Sequence, residues 1–170
     1  GLFALGGSLA EEYLLAMGVA ARYAWANRIA ITELLRSGFA HVFGAEHSRL
    51  VVDVSHNVVL QEQGMNLHRK GATPAHLGNL ALIPGSMGDY SYLVAPTDNS
   101  EYLYSLADGA GRKWARQDCY GRLSGKYTAQ DMQQTRFGST IVCGDKGLLF
   151  EEAPAAYKNV DAVVMALVEA

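Results

Sequence analysis

The assignment of fold class turns on the segment Asp108-Gly109-Ala110-Gly111-Arg112-Lys113-Trp114-Ala115-Arg116. A Gly-Ala-Gly turn running into this stretch predicts a helix start near Arg112, with free backbone amides at the positive end of the helix dipole. In that reading Arg112 and Arg116 share one helix face. Two guanidiniums on one face suit phosphate through their fork geometry; equally, they suit carbonyls and carboxylates of the protein itself. The third glycine of the dinucleotide fingerprint is missing, and no Gly-Lys-Ser/Thr makes a Walker loop. Neither common nucleotide-binding fold is therefore indicated.

Outward from this segment the chain does not alternate strand, helix, strand, so a doubly wound sheet is not expected. Ser8-Leu-Ala-Glu11 reads as a capping box. Behind it, apolar residues from Leu9 to Leu35 recur at helical spacing. They predict one long helix from about Ser8 to Ser37, with a break possible near Asn27 and with Gly38 and Gly44 bracketing its end. Leu50–Val54, Val58–Leu60, Leu80–Ile83, Tyr90–Val94, Thr140–Cys143 and Leu148–Phe150 read as strands. Thr128-Ala-Gln-Asp131 predicts a second capped helix to about Phe137, and 161–169 a final amphipathic helix. The sum is an α+β class, a mixed sheet with flanking helices, in a single domain over residues 1–170.

Composition narrows the function. Hydrophobic residues make 49% of the chain and charged residues 18%, which excludes a disordered chain. No run approaches the roughly 20 apolar residues of a membrane span. A net charge of −3 argues against a broad electrostatic grip on nucleic acid. Cys119 and Cys143 lack metal-type spacing and read as reduced thiols of a cytoplasmic protein. The first residue is Gly, which suits a mature protein or a piece of a longer one. The 18 glycines cluster at 64–88 and 109–125. Clustered glycine marks backbone that bends sharply or approaches something closely.

Three further segments carry possible chemistry. Asp53-Val-Ser-His56-Asn57 offers an imidazole beside a β-run, as a metal ligand or as an ordinary surface or core histidine. His68-Arg69-Lys70-Gly71 runs three cationic side chains into a glycine turn, suited to an anion or simply solvated. Ile83-Pro84-Gly85-Ser86-Met87-Gly88 places a serine between two glycines, as a phosphate- or base-contacting loop or a plain turn. Together the loops point to a nucleotide or phosphate site without specifying a reaction.

These segments, in this order, resemble the RtcB family of RNA ligases. The matching words are His56-Asn57, His68-Arg-Lys-Gly-Ala72, Pro84-Gly-Ser-Met-Gly88 with Ser91, Asp108-Gly-Ala-Gly-Arg112 with Arg116, and Glu151-Glu-Ala-Pro-Ala-Ala-Tyr-Lys158. The Arg-Lys-Trp and Val-Cys-Gly-Asp wording looks like the branch coupled to release factor H. The resemblance implies a GTP- and manganese-dependent enzyme that joins RNA 3′-phosphate (or 2′,3′-cyclic phosphate) to 5′-hydroxyl ends. It implies His56 as a manganese ligand. It implies a guanylate pocket lined by Asn57, Pro84, Gly85, Ser86, Met87 and Ser91, with Gly109, Ala110 and Gly111 against the nucleotide. Arg112 and Arg116 would hold phosphates. The partners implied are RNA ends and guanine nucleotide, with no membrane.

The resemblance has two departures. Asp108 stands where the family carries its nucleophilic histidine. A carboxylate would have to form a mixed anhydride with GMP, and its charge repels the α-phosphate. The family's other metal ligands lie upstream of the first helix, which implies a C-terminal part of a longer ligase, catalytically impaired or incomplete. The alternatives are a guanine-nucleotide or RNA-end binding module without chemistry, or a structural remnant. The long helix would then expose an apolar stripe and favour self-association.

Overall fold

The structure is a computed structural model that describes residues 6–44 and 48–169. It divides into two compact units, Gly1–Pro74 and Ala75–Ala170. The α+β class expected from the sequence is what it holds, with helices beside short antiparallel ladders.

The first unit opens with α1, Gly7–Phe43, an unbroken helix of 37 residues, about 55 Å long. It passes through Asn27 without interruption. Gly6 is its N-cap and makes no side-chain cap bond, so the helix starts ahead of the expected Ser8 box. Gly44 ends it in a left-handed conformation (φ 76°), its N–H bonded to the Ala40 carbonyl at 2.9 Å, while Gly38 lies inside the helix. No residue of α1 is buried. Leu15, Tyr23, Leu34 and Phe43 are among its exposed apolar side chains.

Strands β1 (Asn57–Glu62) and β2 (Met65–Lys70) form a hairpin running from Asn57↔Lys70 to Glu62↔Met65. Gln63 (φ 51°) and Gly64 (φ 76°) make its two-residue turn, the left-handed pair that matches strand twist. A third short strand, β3, covers Ala72–Pro74. Leu50–Val54 is not a strand. Arg28 of α1 forks Asp53 through Nε–Oδ1 at 2.6 Å and Nη2–Oδ2 at 3.1 Å, so a side-chain tether holds this segment where a backbone ladder was expected. His68-Arg69-Lys70 is likewise strand, not loop, and the pleat separates the three side chains. Arg69 is buried and forked onto Glu62 at 2.7 and 2.9 Å. His68 stacks on Tyr13, with centroids 5.7 Å apart.

In the second unit β4 (Ala81–Ile83) pairs antiparallel with β5 (Tyr92–Val94), closing at Ile83↔Tyr92. Then come β6 (Ser105–Ala107), α2 (Arg116–Leu123), α3 (Lys146–Glu151) and α4 (Val160–Glu169). One core gathers Ile83, Ala110 and Val160 with Tyr92, Val94, Val164 and Leu167. A second gathers Leu123, Phe150 and Ala153 with Trp114, Ala129 and Met132. The Thr128–Asp131 box forms, with Thr128 N–H donating to Asp131 Oδ2 at 2.7 Å and Asp131 N–H to Thr128 Oγ1 at 3.2 Å. It starts only a 3-10 turn, Asp131–Gln133. Thr140–Cys143 is irregular apart from a single bridge at Gln134↔Thr140.

Leu148–Phe150, expected as a strand, is α3. Asp145 caps it by accepting the Gly147 N–H at 2.8 Å. A strand would put Leu148 and Phe150 on one face. The helix instead buries Leu149 (1% exposed) beside Phe150 (4%) and leaves Leu148 44% exposed. Phe150→Ala is therefore expected to cost about 3–5 kcal/mol in urea unfolding, and Leu148→Ala less than about 1 kcal/mol. Equal losses would contradict this burial pattern.

Candidate functional site

The second unit brings together most of the residues singled out from sequence. Pro84–Ser91 joins β4 to β5, and Asp108–Arg112 leaves β6. A backbone bond ties the two segments, Ala110 N–H to the Pro84 carbonyl at 3.0 Å. The approach is close enough that a Cβ on Gly109 would lie 3.0 Å from the Pro84 carbonyl oxygen and 3.4 Å from its ring. Glycine at 109 thus suits a close loop-to-loop approach, in which an added Cβ would make the Pro84 carbonyl give by a few tenths of an ångström.

The helix expected at Arg112 begins only at Arg116. From Gly109 to Lys113 the chain is non-helical, bending at Gly109 and Ala110 and turning left-handed at Gly111 (φ 70°). Arg112 bridges Tyr157. Lys158 N–H donates to the Gly111 carbonyl at 2.9 Å, and Lys113 N–H to the Ala156 carbonyl at 2.8 Å. These pairings take the amides and carbonyls that a helix would have used. Arg112 and Arg116 therefore do not share a helix face.

Arg112 is turned into protein. Its Nε donates to the Trp114 carbonyl at 3.1 Å. Nη1 donates to Tyr157 Oη at 2.9 Å and faces Glu152 Oε1 at 3.4 Å. Nη2 donates to the Glu151 carbonyl at 2.6 Å and to Cys119 Sγ at 3.2 Å. Five acceptors match the five donors of a guanidinium. Of the two readings that spacing left for Arg112, these contacts favour the architectural one. Arg116 differs: it donates Nε to Glu152 Oε1 at 3.2 Å while 65% of its side chain stays exposed.

Glu152 and Tyr157 complete this cluster, and the sequence reading gave neither a role. Tyr157 donates its hydroxyl to Glu152 Oε2. The partners lie 36 to 45 residues from the arginines they bond, a separation that no local periodicity reveals. Burial opposes ionisation of Glu152. The bonds from Tyr157 and Arg116 and the charges of both arginines outweigh it and hold the carboxyl below the usual range. Burial, then the bond to Glu152, pushes the Tyr157 phenol up.

The other loop is built around Ser86, which is buried. Its hydroxyl donates to Asp89 Oδ2 at 2.5 Å and accepts the Gly88 N–H at 3.4 Å. Arg136 closes the loop from outside, with Nη2 3.1 Å from Asp89 Oδ1 and Nε donating to the Gly88 carbonyl at 3.1 Å. Pro84, Met87 and Ser91 are exposed and Gly85 is half-buried. Asp108 is half-buried at the end of β6. Gly111 is exposed at φ 70°, and the side chain of Lys158 passes 3.9 Å from where its Cβ would stand.

His56 and Asn57 belong to the other unit, where both are exposed at the entry to β1. Among the described residues no group of three or more His, Cys, Asp or Glu is placed to hold a metal ion. The donors among them do not make a manganese site. No helix among the described residues is long and apolar enough to cross a membrane.

The opposite shifts of Glu152 and Tyr157 predict how stability depends on pH. A lowered carboxyl stabilises the fold fully above its unfolded value, and this is lost as pH falls through the lowered one. A raised phenol stabilises below its unfolded value, and this is lost as pH rises through the raised one. Melting temperature is thus expected to fall below about pH 4 and above about pH 10. Glu152→Gln should flatten the acid limb and Tyr157→Phe the alkaline limb. Unaltered limbs in both variants would show that this pair does not set the profile.

The family model described as tRNA-splicing ligase RtcB matches residues 2–170. RNA-splicing ligase RtcB2 of Escherichia coli is 55% identical over 122 residues, covering 69% of this chain and 32% of that protein. tRNA-splicing ligase RtcB of Methanococcus maripaludis is 33% identical over 180 residues (90% and 37%), and that of Pyrococcus abyssi 36% over 187 residues (94% and 20%). The chain therefore spans between about a fifth and somewhat over a third of the length of these curated relatives. The match over nearly every residue, on the same loops that the geometry brings side by side, places the chain in the RtcB family.

Proposed function

We propose that this chain is the part of an RtcB-type RNA ligase that receives a guanine nucleotide and an RNA phosphate end. In this reading residues 1–170 act as one partial domain, and covalent guanylylation is weakened. The observation that carries it is the pairing of the Pro84–Met87 and Gly109–Gly111 loops through the Ala110 bond to Pro84. Met87 and Ser91 would border the base. The exposed backbone at Gly111, with Lys158 and Arg116, would meet phosphate. GTP and manganese, when bound, would supply the activated phosphate and its charge neutralisation, the latter through ligands beyond His56. RNA 3′-phosphate and 5′-hydroxyl ends would be the substrates.

Asp108 limits the chemistry. At about 4 Å two like charges repel by about 1 kcal/mol in water and about 4 kcal/mol near a protein surface. A phosphate oxygen approaching Asp108 meets that repulsion, whereas a neutral imidazole nitrogen does not create it. This favours a second reading, a binding module that holds nucleotide or RNA end without bonding to it.

Two experiments test these readings. In a chimera carrying the upstream part of the Escherichia coli relative, Asp108→His is expected to acquire the mass of one GMP on incubation with GTP and manganese. The Asp108 form should acquire little or none. Noncovalent GTP binding by the Asp108 form in calorimetry would select the binding module. No added mass on the His variant would overturn the assignment of position 108. Separately, Arg116→Ala is expected to weaken binding of a 3′-phosphorylated oligonucleotide by about 1.5 kcal/mol, roughly tenfold, with only a small drop in melting temperature from loss of its largely exposed pair with Glu152. Arg112→Ala should lower the melting temperature instead. If Arg116→Ala binds as tightly as the parent, Arg116 is not a phosphate contact.

A further inference from the structure

Two aromatic rings stand at the Pro84–Ser91 loop and lie outside both cores of the second unit. Tyr90, within the loop, is 57% exposed, and Phe137 is 47% exposed. Their centroids are 4.7 Å apart, with the planes tilted by 39°. The guanidinium carbon of Arg136 lies 4.8 Å from the Phe137 centroid. Rings left in water forgo the gain from burying them, so their presentation calls for an explanation.

Fastening the loop does not supply one. Phe137 sits in a turn from Gln134 to Thr140 that fixes itself through its own polar groups. Thr135 N–H donates to the Ser139 carbonyl at 2.9 Å, and Gly138 N–H to the Thr135 carbonyl at 3.0 Å. Thr135 Oγ1 accepts from the Phe137 N–H at 3.3 Å and the Ser139 N–H at 3.1 Å. Arg136 then ties this turn to the loop, through the Gly88 carbonyl and Asp89. Polar bonds therefore do the fastening, and much of the ring surface stays in water.

We infer that the Tyr90 ring, backed by Phe137, is a stacking step for an unpaired base of an RNA end. Every base has a flat π-face, so an aromatic ring grips a single strand whatever its sequence. The bases of RNA ends are unstacked and open to such a ring. Charge points the same way. At −3 the chain lacks a broad field for phosphates, and stacking supplies grip that does not depend on one. The Arg136 side chain, 55% exposed even while paired with Asp89, leaves a cation beside the step for the strand's backbone. Met87 and Ser91 share this loop with Tyr90, so a stacked strand would lie next to the proposed nucleotide. The inference rests on the RNA-ligase reading for the source of the base.

Binding of 3′-phosphorylated tetranucleotides to the whole chain tests it, with each base in turn replaced by an abasic residue. At one position the loss of the base is expected to weaken binding about tenfold, whichever base it was. Tyr90→Leu keeps apolar bulk without the flat ring and is expected to weaken the intact strand by a similar factor. Tyr90→Phe should bind as the parent does. The two losses should not add: Tyr90→Leu should bind abasic and intact strands alike. A 2-aminopurine at that position should lose fluorescence on binding the parent and keep it with Tyr90→Leu. An abasic penalty that persists in full in Tyr90→Leu makes Tyr90 a structural residue and overturns the inference. So does a Tyr90→Leu variant that binds equally well, or a parent indifferent to every abasic replacement. Binding that depends on the 3′-phosphate and Arg116 but not on Tyr90 would leave the RNA-end reading standing alone. No binding of any tetranucleotide would remove both. GMP attachment, read by mass at residue 108, is scored apart from either.

Discussion

The guanidinium of Arg112 is the contact on which the second unit depends. It joins the segment after β6 to the start of α2 through Cys119, to the end of α3 through the Glu151 carbonyl, and to Glu152 and Tyr157. Its carbon also lies 4.8 Å from the centre of the Tyr157 ring. Hydrogen bonds to a charged group contribute about 1.5–3 kcal/mol each when well formed. Losing the guanidinium would cost more than those bonds alone, because several acceptors would stay unpaired inside the protein. Tyr157 and Arg112 also bridge through their backbones. Side chain and main chain thus fix the same register twice, and the non-helical course of Gly109–Lys113 results from it.

That course explains where the sequence was legible and where it was not. α1, β4, β5 and α4 were readable because each carries its own signal: long helical spacing, or a short apolar run bounded by turn residues. The helix proposed at Arg112 looked equally well marked, with glycines before it and arginines four apart. It fails because distant residues, Ala156 to Lys158, offer backbone partners that outcompete the local ones. The misread Leu148–Phe150 run has a different cause. Three apolar residues fit a strand or one buried helix turn equally, and the deciding signal was Asp145, a capping residue placed just ahead of them.

The candidate site divides in the same way. The loops that lie side by side, Pro84–Ser91 and Asp108–Arg112, were singled out in the sequence because motif words preserve residue identity and order. The roles of their residues were less legible, because the same glycine serves a ligand or a neighbouring strand without any change in sequence. Gly109 lies against the Pro84 carbonyl, and Ser86 spends its hydroxyl on Asp89. The groups left facing outward, Met87, Ser91, Gly111 and Arg116, form a shorter set than the motifs suggest.

This division bears on Asp108. The bonds that hold its loop come from the backbone at Ala110, Gly111 and Lys113 and from the side chain of Arg112. None of them requires a particular side chain at position 108. A residue can therefore change from imidazole to carboxylate there while the scaffold around it stays the same. What changes is the electrostatics of approach, because the loop then presents a negative charge in place of a neutral nitrogen. The exposed cation at the start of α2, Arg116, is already bonded to Glu152, so its charge is partly spent within the protein. Architecture and side-chain chemistry are therefore separable at this loop: none of the bonds that hold it depends on the residue at position 108.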